Sequence, residues 1–259
     1  MKKHVTILLL LVVTGWATAG WKPLRKDKQP SLCANSSFAS ELCLEMRYLR
    51  VHIMLLGEQR ELLQVNYRML ELLSRSLQQI LARLSNSPLY DEHLQGIEEI
   101  RTTADELNML AQLNKPDALV KANALGGHCT HCHQNPMPSR QLYWHDLARI
   151  SWDHIAKRCN EPGRHPYLCK KMYAMVSSLA YFQEALNRRE VNYELAAEAA
   201  RELVRISNDL QRFRPHGDSP ELSVVEQKAT EIMRLAANRD VKFLELGSGL
   251  TNTCFHCHK

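Results

Sequence analysis

The sequence predicts an all-α chain organised as two tandem four-helix bundles, and three observations carry that expectation. Apolar residues recur in alternating steps of three and four, the whole pattern occurs twice, and no sustained period-two run rich in β-branched residues interrupts it. Helices 1 and 5 of the predicted series carry the stripes Leu42, Met46, Leu49, Ile53, Leu56 and Leu168, Met172, Met175, Leu179, Phe182. Helices 2 and 6 follow with Val65, Met69, Leu73, Leu77, Ile80, Leu84 and Val191, Leu195, Ala199, Leu203, Ile206, Leu210. Helices 3 and 7 take Ile97, Ile100, Ala104, Leu107, Ala111 and Leu222, Val225, Ala229, Ile232, Ala236. The last helix of each set ends in a cysteine motif, and in the first set it opens at Pro116, a residue suited to a first helical turn. Four amphipathic helices joined by short connections bury their stripes against one another as an antiparallel bundle.

The duplication is written in the cysteines. Cys33 and Cys43 are ten residues apart, as are Cys159 and Cys169, and an offset of 126 carries the first pair onto the second. The same offset carries Val65-Asn66-Tyr67 onto Val191-Asn192-Tyr193, Leu42 onto Leu168 and Arg75 onto Arg201. Beyond that it becomes 125, so that Cys129, Cys132 and His133 map onto Cys254, Cys257 and His258. The lost residue belongs between Leu84 and Ile97, where Asn86, Ser87 and Pro88 make a loop that tolerates deletion. The expected units are residues 20–138 and 150–259, with a connector at 139–149.

Residues 1–19 read as a secretory signal peptide: Lys2 and Lys3, the apolar run from Val5 to Val13, then Ala17-Thr18-Ala19 in the small-x-small form of a cleavage site. The run is too short to span a bilayer and Gly20 rather than Cys follows, so no membrane anchor is expected after cleavage. The mature chain would hold 240 residues and a formal charge of +3 instead of +5. With 45% hydrophobic and 24% charged residues, the composition excludes wholesale disorder and a polytopic membrane protein. No basic run or basic–aromatic interleaving asks for nucleic acid. The expected location is periplasmic and oxidising.

Cys129-Thr130-His131-Cys132-His133 and Cys254-Phe255-His256-Cys257-His258 both fit the c-type haem attachment pattern. Two thiols three residues apart on a helical turn can form thioethers to the two vinyl groups of one haem. The adjacent histidine then turns its imidazole to the iron as proximal ligand. Other uses of C-x-x-C fit less well: a thioredoxin-like pair needs a βαβ setting, and a zinc site needs a second ligand pair nearby. His131 and His256 sit beside the anchoring residues and cannot easily reach the distal face of their own haem. The expected cofactors are therefore two covalently attached haem c groups.

A four-helix bundle with its single C-x-x-C-H on the last helix resembles the cytochrome c′ superfamily, the class II c-type cytochromes. The mature chain is similar to two such domains in tandem, departing from the family in its extra cysteine pair per unit and its rather short helical segments. The resemblance implies that a side chain on the inner face of the first helix approaches the distal side of the haem, and that in low-spin relatives a methionine there binds the iron. Mapping every methionine through the repeat leaves Met46 and Met172 as the matched pair, since Met54 falls on Ala180, Met69 on Leu195 and Met109 on Arg234. Both lie in a core stripe, so iron ligation and simple packing stay open as explanations. Cys33 with Cys43 and Cys159 with Cys169, left over from haem attachment, are expected to be disulfides in an oxidising compartment.

Two haems, with no glycine-rich phosphate loop, hydrolytic triad or nicotinamide fingerprint, point to periplasmic electron transfer between redox partner proteins rather than to an enzyme. A sensor of small gases such as NO or CO is the alternative, requiring a vacant or displaceable sixth site. A dihaem peroxidase would need asymmetry between the copies, for which His52, opposite Ser178, is the best seed, and the matched Met46 and Met172 argue against it. Homodimer formation stays open.

Overall fold

The computed structural model describes residues 40–59, 65–85, 94–134, 157–163, 165–186, 191–212 and 219–257. In the helix ends 40–43, 94–95, 129–134, 251–252 and 254–257 the backbone alone is described. The segment 1–19 expected as a signal peptide, Cys33, the expected connector at 139–149 and His258 lie outside this set.

The described chain is all-α. Its long helices are α1 (Ser40–Gln59), α2 (Tyr67–Ser85), α3 (Leu94–Gln112), α4 (Asp117–Gln134), α5 (Pro166–Leu186), α6 (Tyr193–Gln211), α7 (Pro220–Ala237) and α8 (Lys242–Cys257), and no strand occurs among the described residues. None of these helices is long and apolar enough to cross a membrane. Their starts follow the sequence offsets in three pairs, α1 and α5 beginning 126 residues apart, α2 and α6 also 126, and α4 and α8 125, whereas α3 and α7 begin 126 apart, one more than the offset of their stripes.

The repeated Val-Asn-Tyr triplet has a local cause. Asn66 and Asn192 each stand at a helix N-terminus, where the side-chain carbonyl accepts the backbone N–H three residues on, from Met69 and Leu195, at 3.0 Å in both. That satisfies an otherwise orphaned donor in the first turn. The turns into α4 and α8 match as well. Lys115 N donates to Leu110 O and Asp240 N to Leu235 O, both at 2.9 Å, while Asn114 and Arg239 take left-handed backbone angles of φ 51° and 54°. These are Schellman-type helix ends, in which one left-handed residue reverses the chain and satisfies the last carbonyls.

Pairwise contacts run α2–α3–α4 in the first half and close a ring α5–α6–α7–α8–α5 in the second. Antiparallel running is seen in the cross-helix bonds: His52 and Glu45 of α1 meet Ser76 and Arg83 of α2, and Ser74 and Gln78 of α2 meet Asn108 and Asp105 of α3. The stripes of α2, α3, α6 and α7 are buried as expected from their first core position onward, Val65 and Val191 being half-buried.

The first helix of each half differs from expectation. On α1, Tyr48, Val51, His52, Met54, Leu55, Glu58 and Gln59 are buried in addition to Leu49 and Leu56, whereas Met46 and Ile53 are half-buried. On α5, Lys171, Ala174, Ser177, Ser178 and Tyr181 join Met175, Leu179 and Phe182. Residues 41–259 form one compact unit, and several residues of α1 and α5 meet the other repeat within it. Arg47 reaches Glu184 at 2.5 Å, Asn66 donates to Glu198 at 2.7 Å, and Arg68 meets Glu194 at 2.5 Å. The ring centroids of Tyr48 and Tyr181 are 6.0 Å apart. Arg68 and Glu194 are repeat equivalents, 126 residues apart, so this pair lies where a two-fold axis relating the repeats would pass.

Candidate functional site

Both C-x-x-C-H motifs fall at the C-terminal ends of helices. Cys129, Cys132 and His133 are within α4, and Cys254 and Cys257 within α8. A helical backbone sets residues i and i+3 on one side of the cylinder, so each cysteine pair is presented to the same flank of its helix. The backbone therefore satisfies the spacing that two thioethers to one haem require. The thiol and imidazole positions, and His258 altogether, lie outside the described side chains. Among the described residues no cluster of three or more His, Cys, Asp or Glu forms a separate metal site.

The residue just before each motif is pinned to the neighbouring helix. His128 Nε2 lies 3.1 Å from Thr103 Oγ1, and its Nδ1 is 3.7 Å from a Glu99 carboxylate oxygen. In the second copy the same two positions hold Lys228 and Thr253, and Lys228 Nζ donates to Thr253 Oγ1 at 3.4 Å. The contact is kept while the chemistry changes, and it fixes the rotation of the helix that bears the cysteines. Sequence reading passed over this pair; its signal is that 103/128 and 228/253 are equivalent positions that both carry polar groups.

Antiparallel register locates the methionines. A Cβ on Gly126 of α4 would lie 3.9 Å from Ile53 Cγ2 of α1. Both helices rise about 1.5 Å per residue, so seven residues back along α1 and seven forward along α4 stay level, bringing Met46 abreast of His133. In the second copy Gly247 of α8 faces Phe182 of α5, with 2.7 Å between its would-be Cβ and the ring Cγ. Ten residues on, Met172 is abreast of Cys257, one residue from His258. Both methionines are half-buried at equivalent places, rather than fully enclosed like Met69 or Met175.

His52 is a satisfied core residue. Its Nδ1 lies 2.8 Å from the Tyr48 carbonyl, which can only accept, so Nδ1 carries a proton, and Nε2 is hydrogen-bonded with Ser76 Oγ at 2.8 Å. The ring is fully buried, edge-on to Tyr48 with centroids 4.4 Å apart. With both nitrogens engaged in protein contacts, it holds α1 to α2.

Cys159 and Cys169 are joined as a disulfide that ties a short helical turn at 157–159 to the first turn of α5 across a Cα–Cα distance of 5.4 Å. Gly163 turns the intervening loop at φ 86°. The companion pair cannot be followed in the same way, since Cys33 is outside the described residues and Cys43 is described in backbone alone. Compared with protein-family models, curated proteins and solved structures, the chain matches none.

Proposed function

We propose that the chain is an exported dihaem c-type cytochrome, folded as two tandem four-helix bundles of the cytochrome c′ kind, that carries electrons between redox partner proteins in the periplasm. The observation that supports this reading most is the register between the first and last helix of each repeat. It brings the one repeat-matched methionine pair, Met46 and Met172, abreast of the histidine end of each C-x-x-C-H motif. Cys129 and Cys132, and Cys254 and Cys257, would hold one haem c each through thioethers, His133 and His258 would be the proximal ligands, and Met46 and Met172 the distal ones. When bound, each haem supplies a one-electron ferric/ferrous couple.

The chain's own contribution is to hold and enclose. His128 and Thr253 lock the rotation of the motif-bearing helices, the stripes of α2, α3, α6 and α7 exclude water, and a thioether donor favours ferrous iron. Gas binding is the second reading, favoured by the half-buried state of both methionines, since a side chain not packed in place can be displaced.

Mass spectrometry of protein exported from a host competent for c-type haem maturation should give the cleaved polypeptide plus two haems. Cys129→Ala with Cys132→Ala should leave one. Met46→Ala with Met172→Ala should convert a low-spin optical spectrum to a high-spin one that responds to carbon monoxide. A polypeptide mass without haem refutes the reading, and a wild type that is already high-spin and binds carbon monoxide at once moves gas binding to first place.

A further inference from the structure

The contact between the repeats is asymmetric where one acid keeps an arginine that its repeat equivalent lacks. Glu184 at the end of α5 is neutralised by Arg47 of α1, at 2.5 Å from Nη2 and 3.1 Å from Nε. Glu58 is the repeat equivalent of Glu184, but the equivalent of Arg47 is Tyr173, so Glu58 has lost the arginine that its counterpart keeps. It is nevertheless fully buried, and no donor meets either carboxylate oxygen among the described residues; the group close enough to bond with it is another carboxyl, that of Glu202, which can do so only through a proton held between the two acids. Beside it on α1, Gln59 is buried with both amide atoms unpartnered.

The groups that face Glu58 from the other repeat are Glu202 and Arg205 of α6 and Lys171 of α5. Each cation is already engaged. Arg205 is bonded to Glu202 and also reaches Asp209, while Lys171 Nζ donates to Asp209 at 2.8 Å. Glu202 stands where the first repeat has Ser76, and Arg205 and Lys171 stand where it has Gln79 and Glu45, so the charges around Glu58 are new to this half of the contact, and both cations are spent on Glu202 and Asp209. A buried carboxylate set against a second carboxylate costs several kcal/mol or more, and the usual resolution is that a proton stays on the buried acid.

From this placement we propose that Glu58 is a proton-binding site built into the contact between the repeats, and that release of its proton loosens the seat of α1 on α5 and α6. The reading is independent of whether haem is bound. Its direction agrees with the electrostatics: burial first, and then the Glu202 charge, push Glu58 well above the ordinary carboxylate range, against the opposing pull of Arg205 and Lys171. An acid raised in this way binds its proton more tightly in the closed contact than in an opened one. The contact is therefore strongest below the ordinary carboxylate pKa and weakens as pH climbs from there toward the raised value. Within that window, release of one proton per opening raises the opening equilibrium about tenfold per pH unit.

The test uses the full chain. Infrared spectra of wild type at neutral pH should contain the carbonyl band of a protonated carboxylic acid, downshifted in heavy water and missing in Glu58→Gln. Amide exchange in α1 and α5, divided by each amide's intrinsic rate, should rise with pH in wild type and stay flat in Glu58→Gln. Arg47→Gln should keep the wild-type slope, because it breaks the other half of the contact. If Glu58→Gln does not fold, Glu58→Asp and the pH titration of the wild-type band decide the matter. A wild-type spectrum without a protonated carboxyl at neutral pH overturns the site, and parallel exchange profiles for wild type and Glu58→Gln overturn the loosening.

Discussion

Gly247→Ala probes the closest approach between a motif-bearing helix and the helix opposite. A Cβ at position 247 would lie 2.7 Å from Phe182 Cγ, 2.8 Å from its Cβ and 2.8 Å from Cδ1. Ordinary carbon–carbon contact is about 3.5–4.0 Å, and Phe182 Cβ is attached to the backbone, so the side chain cannot swing away and the helices must separate. Overpacking of this kind costs about 1–3 kcal/mol. Against it stands the helix propensity gained by replacing Gly, about 0.8–1.0 kcal/mol, leaving a net loss between roughly zero and 2 kcal/mol. The first repeat accommodates a Cβ at this place: Leu56 and Ala122, both buried, stand where the second has Phe182 and Gly247. Phe182→Leu alone removes ring contacts to Tyr181 and Phe243 and should cost about 1 kcal/mol or more. Leucine keeps the Cβ and Cγ that the new methyl meets but replaces the rigid ring by a smaller group beyond them, so the helices can part with less loss of packing and the double variant should be more stable than the sum of the single changes by more than about 0.5 kcal/mol. Urea unfolding followed by far-UV circular dichroism measures all three variants. Effects that add to within about 0.5 kcal/mol would show that residues 182 and 247 do not share a packing constraint.

Two further outcomes concern local structure. Arg239 takes φ 54° with a Cβ to accommodate, so Arg239→Gly should stabilise the turn into α8 by about 1 kcal/mol in thermal unfolding, whereas the same change at a right-handed helical position such as Arg234 should destabilise by a similar amount. Cys159→Ser with Cys169→Ser should cost about 2.5–3 kcal/mol from the entropy of the opened loop. An unchanged urea midpoint for that pair would mean that the 157–163 segment stays docked on α5 without its covalent tie.

Most of the secondary structure was determined by the sequence alone, because an amphipathic helix with one buried face announces that face by its period. The α2, α3, α6 and α7 stripes, the Asn66 and Asn192 caps and the Cys159–Cys169 tie all depend on residues close together in the chain or on an internal offset that can be counted. The backbone placement of both cysteine motifs on a final helix followed for the same reason. Tertiary structure decided what happens on helices buried from two sides. The α1 and α5 stripes named only the face turned toward their own repeat; Tyr48, His52, Glu58 and Lys171 are buried because a second surface, made by the other repeat and by neighbouring helices, covers them. No local pattern marks such a surface, since a polar side chain there is tolerated only if a partner far along the chain meets it. His52 meets Ser76 and Glu184 meets Arg47, while Glu58 meets another acid. Which of these a buried polar residue obtains is settled by how the helices cross, and periodicity carries no information about that crossing.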